Sequence, residues 1–223
     1  PNEFNIKHFR FSLTYTYYNT TPMNSIQTLL PEKYPHLLRQ ISGLPKRLYI
    51  RGELPSDEYT FLTIVGSRRY TEYGKEAVEM LIKSLTGLPV VIVSGLAFGI
   101  DALAHKAALG AGLKTIAVPG SGLSPDVLYP ASNHGLANMI VEAGGALVSP
   151  FENDTVGAPW TFPVRNRIMA CMSHATLVIE AEIKSGTLIT SKHATEFNRN
   201  VFAVPGSIFS KQSKIISFDK KKC

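Results

Sequence analysis

The feature that most constrains the fold is a repeated alternation of short apolar segments, glycine-rich or polar turns, and stretches with helical spacing. The first apolar segment, Phe61–Val65, is partly β-branched, and Tyr73–Ile82 after it carries apolar residues at helical intervals. Further segments of the same kind lie at Val90–Val93, Thr115–Val118, Ala146–Val148, Ala175–Ile179 and Val201–Val204. Strands that alternate with helices form parallel βαβ units with right-handed crossovers. The sequence therefore predicts an α/β fold with a mostly parallel sheet.

Composition narrows the class of protein. The chain has 223 residues, of which 44% are hydrophobic, enough for one sizeable core. No apolar run approaches the roughly 18 residues of a membrane-spanning helix, and the N-terminal stretch has no signal-peptide pattern. The two cysteines and the scattered histidines give no metal-ligand spacing and no disulfide framework. We expect a reduced, cytoplasmic protein without a bound metal or cofactor.

The chain is predicted to have three parts. Residues 1–45 form an N-terminal extension with short helices, for which Ile26–Leu30 and His36–Ile41 are the candidates. Residues 46–209 form the main domain, and residues 210–223 form a basic, disordered tail. The tail carries most of the formal net charge of +6, since residues 211–223 contain five lysines and one aspartate. A case for nucleic-acid binding must therefore rest on local arginines rather than on the overall charge.

The loop Gly66-Ser67-Arg68-Arg69 lies where the first central strand should end and a helix should begin. A loop that feeds a helix N-terminus exposes unpaired backbone N–H groups at the positive end of the helix dipole, which favours anions. The two arginines add forked donors suited to phosphate. The alternative is an ordinary turn with exposed arginines, and the position at the junction favours a phosphate site.

A second glycine-rich loop, Ser94–Asp101, follows the next strand. Gly95 permits a tight turn, but the spacing is not Gly-x-Gly-x-x-Gly, so a dinucleotide cofactor is disfavoured. Asp101 and His105 lie four residues apart on one helical face, where a structural contact is favoured over a catalytic dyad. No positioned nucleophile accompanies them.

Two later stretches combine groups suited to nucleic acid. Trp160–Arg167 places aromatic residues beside arginines, an arrangement in which a ring stacks on a base and guanidinium groups hold phosphates. The alternative is that Phe162 and Trp160 plug the core. In Glu180–Thr190, Ser185-Gly186-Thr187 is suited to cap a helix and offer N–H groups to an anion. The glutamates of that stretch are alternatives as general acid or base, but no partner carboxylate is evident.

Taken together, these motifs resemble the DNA-processing protein A family, also called DprA or Smf, over roughly residues 44–209. The order and number of the matching segments make the resemblance specific, although each is weak alone. The segments are Leu48–Gly52, which reads as an extra strand, Ile64–Arg68, Tyr73–Gly74, Ser94–Asp101, Ala104–His105, Ala117–Leu123, Tyr129–Asn133, Phe162–Ile168, Glu180–Thr190 and Val201–Gly206.

The resemblance implies an extended Rossmann-like, doubly wound sheet with helices on both faces, in which residues 46–209 bind single-stranded DNA. It implies a recombination mediator, not an enzyme, that protects incoming DNA, helps load the RecA recombinase in natural transformation and forms a homodimer. Arg68 would anchor a phosphate and Phe162 would stack on a base. The predicted DNA-binding residues are Gly66, Ser67, Arg68, Arg69, Ser94, Gly95, Phe162, Arg165, Asn166, Arg167, Lys184, Ser185, Gly186 and Thr187.

The chain departs from the family at three places. Gly157–Pro159 stands where the family often has a basic residue, the tail at 211–223 does not continue the family pattern, and the first 22 residues match nothing, which makes Met23 a candidate natural start. The alternatives are a nucleotide or riboside hydrolase and a nucleotide sensor. Related Rossmann-like hydrolases carry a Pro-Gly-Gly-x-Gly-Thr motif and a Glu-Glu pair, whereas Lys184–Thr187 has neither.

Overall fold

Eight strands form one sheet in the computed structural model, which describes residues 25–181 and 185–206. In chain order they are β1 (Ile26–Leu29), β2 (Leu48–Gly52), β3 (Thr60–Gly66), β4 (Val90–Ser94), β5 (Lys114–Ala117), β6 (Ala146–Ser149), β7 (Ala175–Ile179) and β8 (Asn200–Ala203). Their spatial order is β1-β2-β6-β5-β4-β3-β7-β8. Strands β3 to β8 are parallel, whereas β2 pairs antiparallel with both β6 and β1. The predicted mostly parallel α/β sheet is confirmed.

Helices cover both faces of this sheet. They are α1 (His36–Arg39), α2 (Glu72–Ser84), α3 (Ile100–Gly110), α4 (His134–Glu142), α5 (Thr161–Met172) and α6 (Gly186–Glu196), with short 3₁₀ helices at Pro31–Lys33 and Ala131–Asn133. Helices α2, α3 and α4 pack on one face, and α1, α5 and α6 on the other. None of the helices in the described ranges has the length and apolarity that crossing a membrane requires.

The central strands are buried on both sides, which explains why they read as unbroken apolar runs. In β4, Val91 and Val93 face the α5 side of the sheet, while Ile92 packs in the cluster that contains Val78 and Ile82 of α2. Side chains of a strand alternate between faces, so a sheet covered on both faces needs apolar residues at every position. Because the central strands are buried on both faces, their positions can be recognised in the sequence as apolar runs.

The order of strands reverses beside β3. From β3 the chain proceeds outward through β4, β5 and β6, and then returns to the other side of β3 to form β7 and β8. The loops after β3 and β7 therefore leave neighbouring strands toward helices on opposite faces. In open α/β sheets such a reversal leaves a crevice at the carboxyl ends of the strands, where ligands bind.

The N-terminal part differs from the prediction. Ile26–Leu30 was expected to be helical, but Ile26–Leu29 forms strand β1, which pairs with β2 along its whole length. Pairing with a strand some twenty residues away outweighs the weak local preference of so short a segment. The short helix expected within 36–41 is present as α1. The domain boundary at residue 45 stays a prediction, and residues 1–24 and the predicted tail at 210–223 lie outside the described ranges.

Candidate functional site

A pocket of about 350 Å³ lies at the carboxyl ends of β3 and β7, where the strand order reverses. Its walls come from the loop after β3 and from the N-terminal turns of α5 and α6. Of the residues predicted to bind DNA, the structure brings the following together around it: Gly66, Ser67, Arg68, Arg69, Phe162, Arg165, Asn166, Ser185, Gly186 and Thr187. Segments far apart in sequence thus form one cavity.

Two guanidinium groups lie close to the ring of Phe162. The Cζ atom of Arg68 lies 5.3 Å from the ring centroid, and that of Arg165 lies 5.9 Å from it. A cation within about 6 Å of an aromatic face is attracted by the ring quadrupole. Arg68 and its neighbour Arg69 are exposed, so their donors remain accessible to an anion.

Arg165 is instead buried, with 4% of its surface exposed. Its Nη1 atom donates hydrogen bonds to the carbonyl oxygens of Gly95 and, at 2.7 Å, Val118. Burial lowers the pKa of this guanidinium, an effect that the nearby Asp101 carboxyl opposes. Gly95 makes the arrangement possible, because a Cβ atom there would overlap Nη1. Arg165 therefore acts as a buried positive charge behind the Phe162 ring.

Asp101 is the acidic group among the residues lining the pocket. Burial raises the pKa of its carboxyl, while Arg165 and the backbone N–H groups of Ala97 and Gly95 favour the ionised form. The described lining contains this single carboxyl and three guanidinium groups, those of Arg68, Arg69 and Arg165. The pocket is therefore suited to an anionic ligand.

The predicted contact between Asp101 and His105 is wrong. The Nδ1 atom of His105 lies 2.7 Å from Thr115 Oγ1, which in turn donates to the carbonyl of Ile92. The His105 ring is fully buried, and desolvation, with a smaller contribution from Arg165, lowers its pKa to about 3. His105 is thus a neutral core residue that joins α3 to β5.

The loop after β3 is held in one shape by its own serine. Ser67 Oγ donates to the carbonyl of Arg69 at 2.7 Å and accepts from the Arg69 N–H at 3.0 Å. The N–H of Ile100, at the start of α3, donates to the Ser67 carbonyl at 3.1 Å. These bonds fix the loop backbone at Ser67 and Arg69, and the side chains of Arg68 and Arg69 are directed outward, as their exposure indicates.

The N-terminus of α2 is not the open anion site that the sequence indicated. The Thr71 N–H donates to one carboxylate oxygen of Glu180 at 2.9 Å, and the Thr71 hydroxyl donates to the other. The Thr71 hydroxyl also accepts from the Gly74 N–H at 3.2 Å. The carboxylate of Glu180, which the sequence left open as a general acid or base, thus occupies the positive end of this helix.

The N-terminus of α6 faces the pocket instead. Ser185 precedes this helix, and its side chain forms no capping hydrogen bond. Its Oγ atom is buried without a partner among the described residues. Since the first N–H groups of a helix lack internal acceptors, α6 is the helix that offers donors to a ligand.

Two side chains brace the loops against each other. Thr187 Oγ1 donates to the Gly66 carbonyl at 3.2 Å, and Asn166 Nδ2 donates to the Gly186 carbonyl at 3.0 Å. The first bond ties α6 to β3 and the second ties α6 to α5. Both residues line the pocket, but these contacts indicate that they position its walls.

The remaining predicted site residues lie elsewhere. Ser94 is buried, and its Oγ donates to the Ile64 carbonyl at 2.7 Å. Gly95 lies beneath Arg165, as described above. Arg167 does not line the pocket: it donates to the carbonyls of Gly43 and Ser42 at 2.7 and 2.9 Å. Lys184 lies outside the described residues.

Sequence reasoning missed some of the lining. Met169 and Thr190 belong to the pocket wall. Met169 lies four residues after Arg165 on α5, and Thr190 lies four after Gly186 on α6. Because residues four apart share a helix face, helical spacing applied to the two motifs was the signal that would have found them.

Comparisons with known proteins agree on one family. Over 177 residues the chain is 42% identical to Protein Smf of Escherichia coli, covering 79% of this chain and 47% of that protein. Over 181 residues it is 41% identical to DNA processing protein DprA of Streptococcus pneumoniae, covering 81% of this chain and 63% of that protein. The chain therefore spans about half to two thirds of the length of these relatives.

Two solved structures of DNA processing protein A share the fold. The protein from Streptococcus pneumoniae superposes with a TM-score of 0.76 at 37% identity, over 86% of this chain and 67% of that one. The protein from Helicobacter pylori, solved in a study of its single-stranded DNA binding mode, gives a TM-score of 0.74 at 29% identity, over 86% of both chains. The predicted Rossmann-like fold class is thereby confirmed.

The family model described as DNA recombination-mediator protein A matches residues 25–217. This match extends at both ends beyond the resemblance at 44–209, and at the N-terminal end it includes strand β1. Taken with the identities to the relatives named Smf and DprA, it shows that this chain belongs to the DNA recombination-mediator protein A family.

Proposed function

We propose that the chain binds single-stranded DNA in the pocket at the carboxyl ends of β3 and β7, and that it acts by binding rather than by catalysis. The observation that carries this proposal is the grouping of exposed Arg68 and Arg69 with the ring of Phe162 in one open cavity. Such a group offers phosphate contacts and a stacking surface within one nucleotide's reach.

Different parts of the pocket bind different parts of a nucleotide. Arg68 and Arg69 bind the phosphate from one side, and the free N–H groups at the start of α6 face it from the other. The Phe162 ring stacks on the base. A base inside a duplex has no free face for this ring, so the geometry favours a single strand.

The comparisons support this proposal through one relative. The Helicobacter pylori protein is described by its single-stranded DNA binding mode, and it shares the fold of this chain over most of both chains. We extend that property to this chain because the predicted phosphate and base contacts, Arg68 and Phe162, lie together at the switch point of the sheet.

We further propose that the bound strand is protected and passed to the RecA recombinase, and that the protein acts as a homodimer. Membership of a family described as recombination mediators supports this role. The test is RecA filament assembly on strands already coated with single-strand binding protein, and the protein should accelerate it. Sedimentation of the protein alone should give twice the chain mass.

Hydrolysis of a nucleotide or riboside is less well supported. Such chemistry commonly needs a general acid or base that reaches the substrate. Asp101 is the carboxyl group in the described lining and is buried beside Arg165, while Glu180 is held by Thr71 at the start of α2. Neither is a free carboxylate facing the cavity.

The deciding experiment is a paired titration. Fluorescently labelled oligo-dT and a duplex of the same length are titrated at several salt concentrations, and riboside hydrolysis is measured in parallel. We expect tighter binding of oligo-dT than of the duplex, and weaker binding in Phe162→Ala at constant salt. Equal affinity for the two forms of DNA would contradict the proposal, and riboside turnover would favour the hydrolase.

A further inference from the structure

Three aromatic rings form a row at the carboxyl edge of the sheet. The centroid of Tyr129 lies 6.2 Å from that of Phe162 and 6.2 Å from that of Phe98. The three residues come from different segments, since Phe98 follows β4, Tyr129 follows β5 and Phe162 begins α5. Phe162 lines the pocket, and the other two rings continue the row beyond it.

The two rings outside the pocket are exposed, although both are large aromatic groups. Phe98 is 43% exposed and Tyr129 is 41% exposed. The rings meet edge to face, at interplanar angles of 89° for Phe98 and Tyr129 and 63° for Tyr129 and Phe162. In an edge-to-face pair one ring presents its edge to a face of the other, so each such contact covers at most one face of a ring.

The surrounding chain holds these rings in place. The Tyr129 N–H donates to Ser121 Oγ at 3.1 Å. Asn133 Nδ2 donates to the Leu96 carbonyl at 2.8 Å, and Leu96 is fully buried with a φ of 58°. A left-handed conformation is unfavourable for leucine, so the buried side chain and the Asn133 bond fix a strained turn that leaves Phe98 outside.

The Phe162 ring packs against Gly120, which has no side chain. A Cβ atom at Gly120 would lie 2.5 Å from the Phe162 ring. Gly120 therefore allows the ring to lie against the backbone, near the Tyr129 ring and the Arg68 guanidinium.

We propose that Tyr129 and Phe98 form a second base-stacking site, which extends the single-stranded DNA path beyond the Phe162 pocket by at least one nucleotide. This inference rests on the proposed function. Successive bases in a stacked strand are about 3.4 Å apart, whereas neighbouring rings of the row are 6.2 Å apart. The spacing suits bases that have been unstacked from one another.

The test measures oligo-dT affinity in Tyr129→Ala and Phe98→Ala. Stacking of one base on an aromatic ring is expected to change affinity by about 5- to 150-fold. We expect each variant to lose at least about 5-fold in affinity for a long oligo-dT and little for the shortest oligonucleotide that still binds. The matched control is Phe202→Ala, since Phe202 is 56% exposed on β8, away from the row, and should leave affinity unchanged.

Abasic oligonucleotides locate the contact. The series contains oligonucleotides that each lack one base, at a different position. At one position, next to the position at which base removal cancels the effect of Phe162→Ala, removal of the base should cancel the effect of Tyr129→Ala on affinity. The reason is that the base that stacks on Tyr129 is already absent. Tyr129→Leu and Phe98→Leu keep a large apolar side chain but remove the ring. They test the loss of stacking even if the alanine variants disturb folding. They should bind as weakly as the alanine variants.

The outcomes separate this inference from the proposed function. If Arg68→Ala and Phe162→Ala weaken oligo-dT binding while the Tyr129 and Phe98 variants bind as the wild type does, the second site is wrong and the pocket stands. Full affinity in the leucine variants would also overturn the second site. If the wild type fails to prefer oligo-dT over duplex, both proposals fail together.

Discussion

Burial assigns different roles to two arginines that the sequence treats alike. Arg68 and Arg165 lie at similar distances from the Phe162 ring. Arg68 is exposed and keeps its donors free, whereas Arg165 is buried and donates to backbone carbonyls. An exposed guanidinium can neutralise a phosphate directly, while a buried one orients its neighbours and adds positive potential.

Arg68→Ala should weaken oligo-dT binding and flatten its salt dependence without a change in melting temperature. Removing one phosphate interaction with a single strand lowers the slope of log affinity against log salt by about 0.7. The measurement is a salt series by fluorescence anisotropy. Arg39→Ala is the matched control, because Arg39 is exposed on α1 and pairs with Asp57 at 3.6 Å. An unchanged slope with a collapsed melting temperature would make Arg68 structural.

His105 should make the fold sensitive to acid. The unfolded chain takes up a proton on His105 near pH 6.5, whereas the folded chain excludes it down to about pH 3. The contribution of neutral His105 to the free energy of unfolding is therefore fully present above pH 6.5 and decreases as the pH falls. Between pH 6.5 and pH 5 the free energy of unfolding should decrease by about 2 kcal/mol.

Urea unfolding of the wild type and His105→Gln at pH 7 and at pH 5 tests this expectation. The wild type should lose more stability than the variant over that interval, because glutamine does not titrate. Parallel losses in the two proteins would show that other groups carry the acid sensitivity.

At the scale of elements, the pocket depends on how the ends of strands and helices meet. Glu180 at the end of β7 occupies the N-terminus of α2, so the helix N-terminus that faces the cavity is that of α6. The loop after β4 supplies the carbonyl of Gly95 to Arg165 on α5. Each of these contacts joins an element to one that is distant in sequence, and together they fix the walls.

Gly95→Ala should disrupt this junction. The added Cβ would overlap Arg165 Nη1 and lie 2.5 Å from Asp101 Oδ2, and both groups are buried. Displacing a buried charge from its hydrogen bonds should cost about 3 kcal/mol or more in stability and weaken oligo-dT binding as well.

Gly110→Ala is the matched control for that substitution. Gly110 is the last residue of α3, and a Cβ there would meet nothing within 4 Å. Alanine favours helix, so Gly110→Ala should raise stability by about 0.5–1 kcal/mol. Thermal unfolding of both variants measures the difference, and equal stability of the two would contradict the packing argument.

At the scale of the whole molecule, two groups of positive charge bear on DNA affinity. One is the pocket with its arginines, and the other is the lysine-rich C-terminal stretch. Residues 218–223, which follow the family match, contain three lysines and one aspartate. Lysine side chains attract any polyanion through their charge, and salt screens that attraction within about 10 Å at 0.1 M.

Deletion of residues 218–223 should therefore lower affinity for oligo-dT and for heparin about equally at low salt, and should have almost no effect at high salt. The measurement is a competition titration at two salt concentrations. A selective loss of oligo-dT binding at both would place these residues in the binding site and would contradict the assignment of specificity to the pocket.

The sequence by itself determined the class of fold and the segments that form the site. Strands such as β4 are buried on both faces, so each can be recognised in the sequence as a short run of apolar residues. The loops that follow these strands carry recognisable glycines and arginines. The motifs around Arg68, Phe162 and Ser185 were predicted to bind DNA, and they line one pocket.

Only the tertiary structure decided which of these groups remain free. The carboxylate of Glu180 reaches Thr71 across 109 residues, and Arg167 reaches Gly43 across 124. Strand β1 likewise depends on β2, its partner in the sheet. The local pattern of a segment indicates its preference for helix or strand. A hydrogen bond between residues that are distant in sequence produces no periodic pattern in either segment. The free donors of the pocket are those that remain after such long-range contacts have been made.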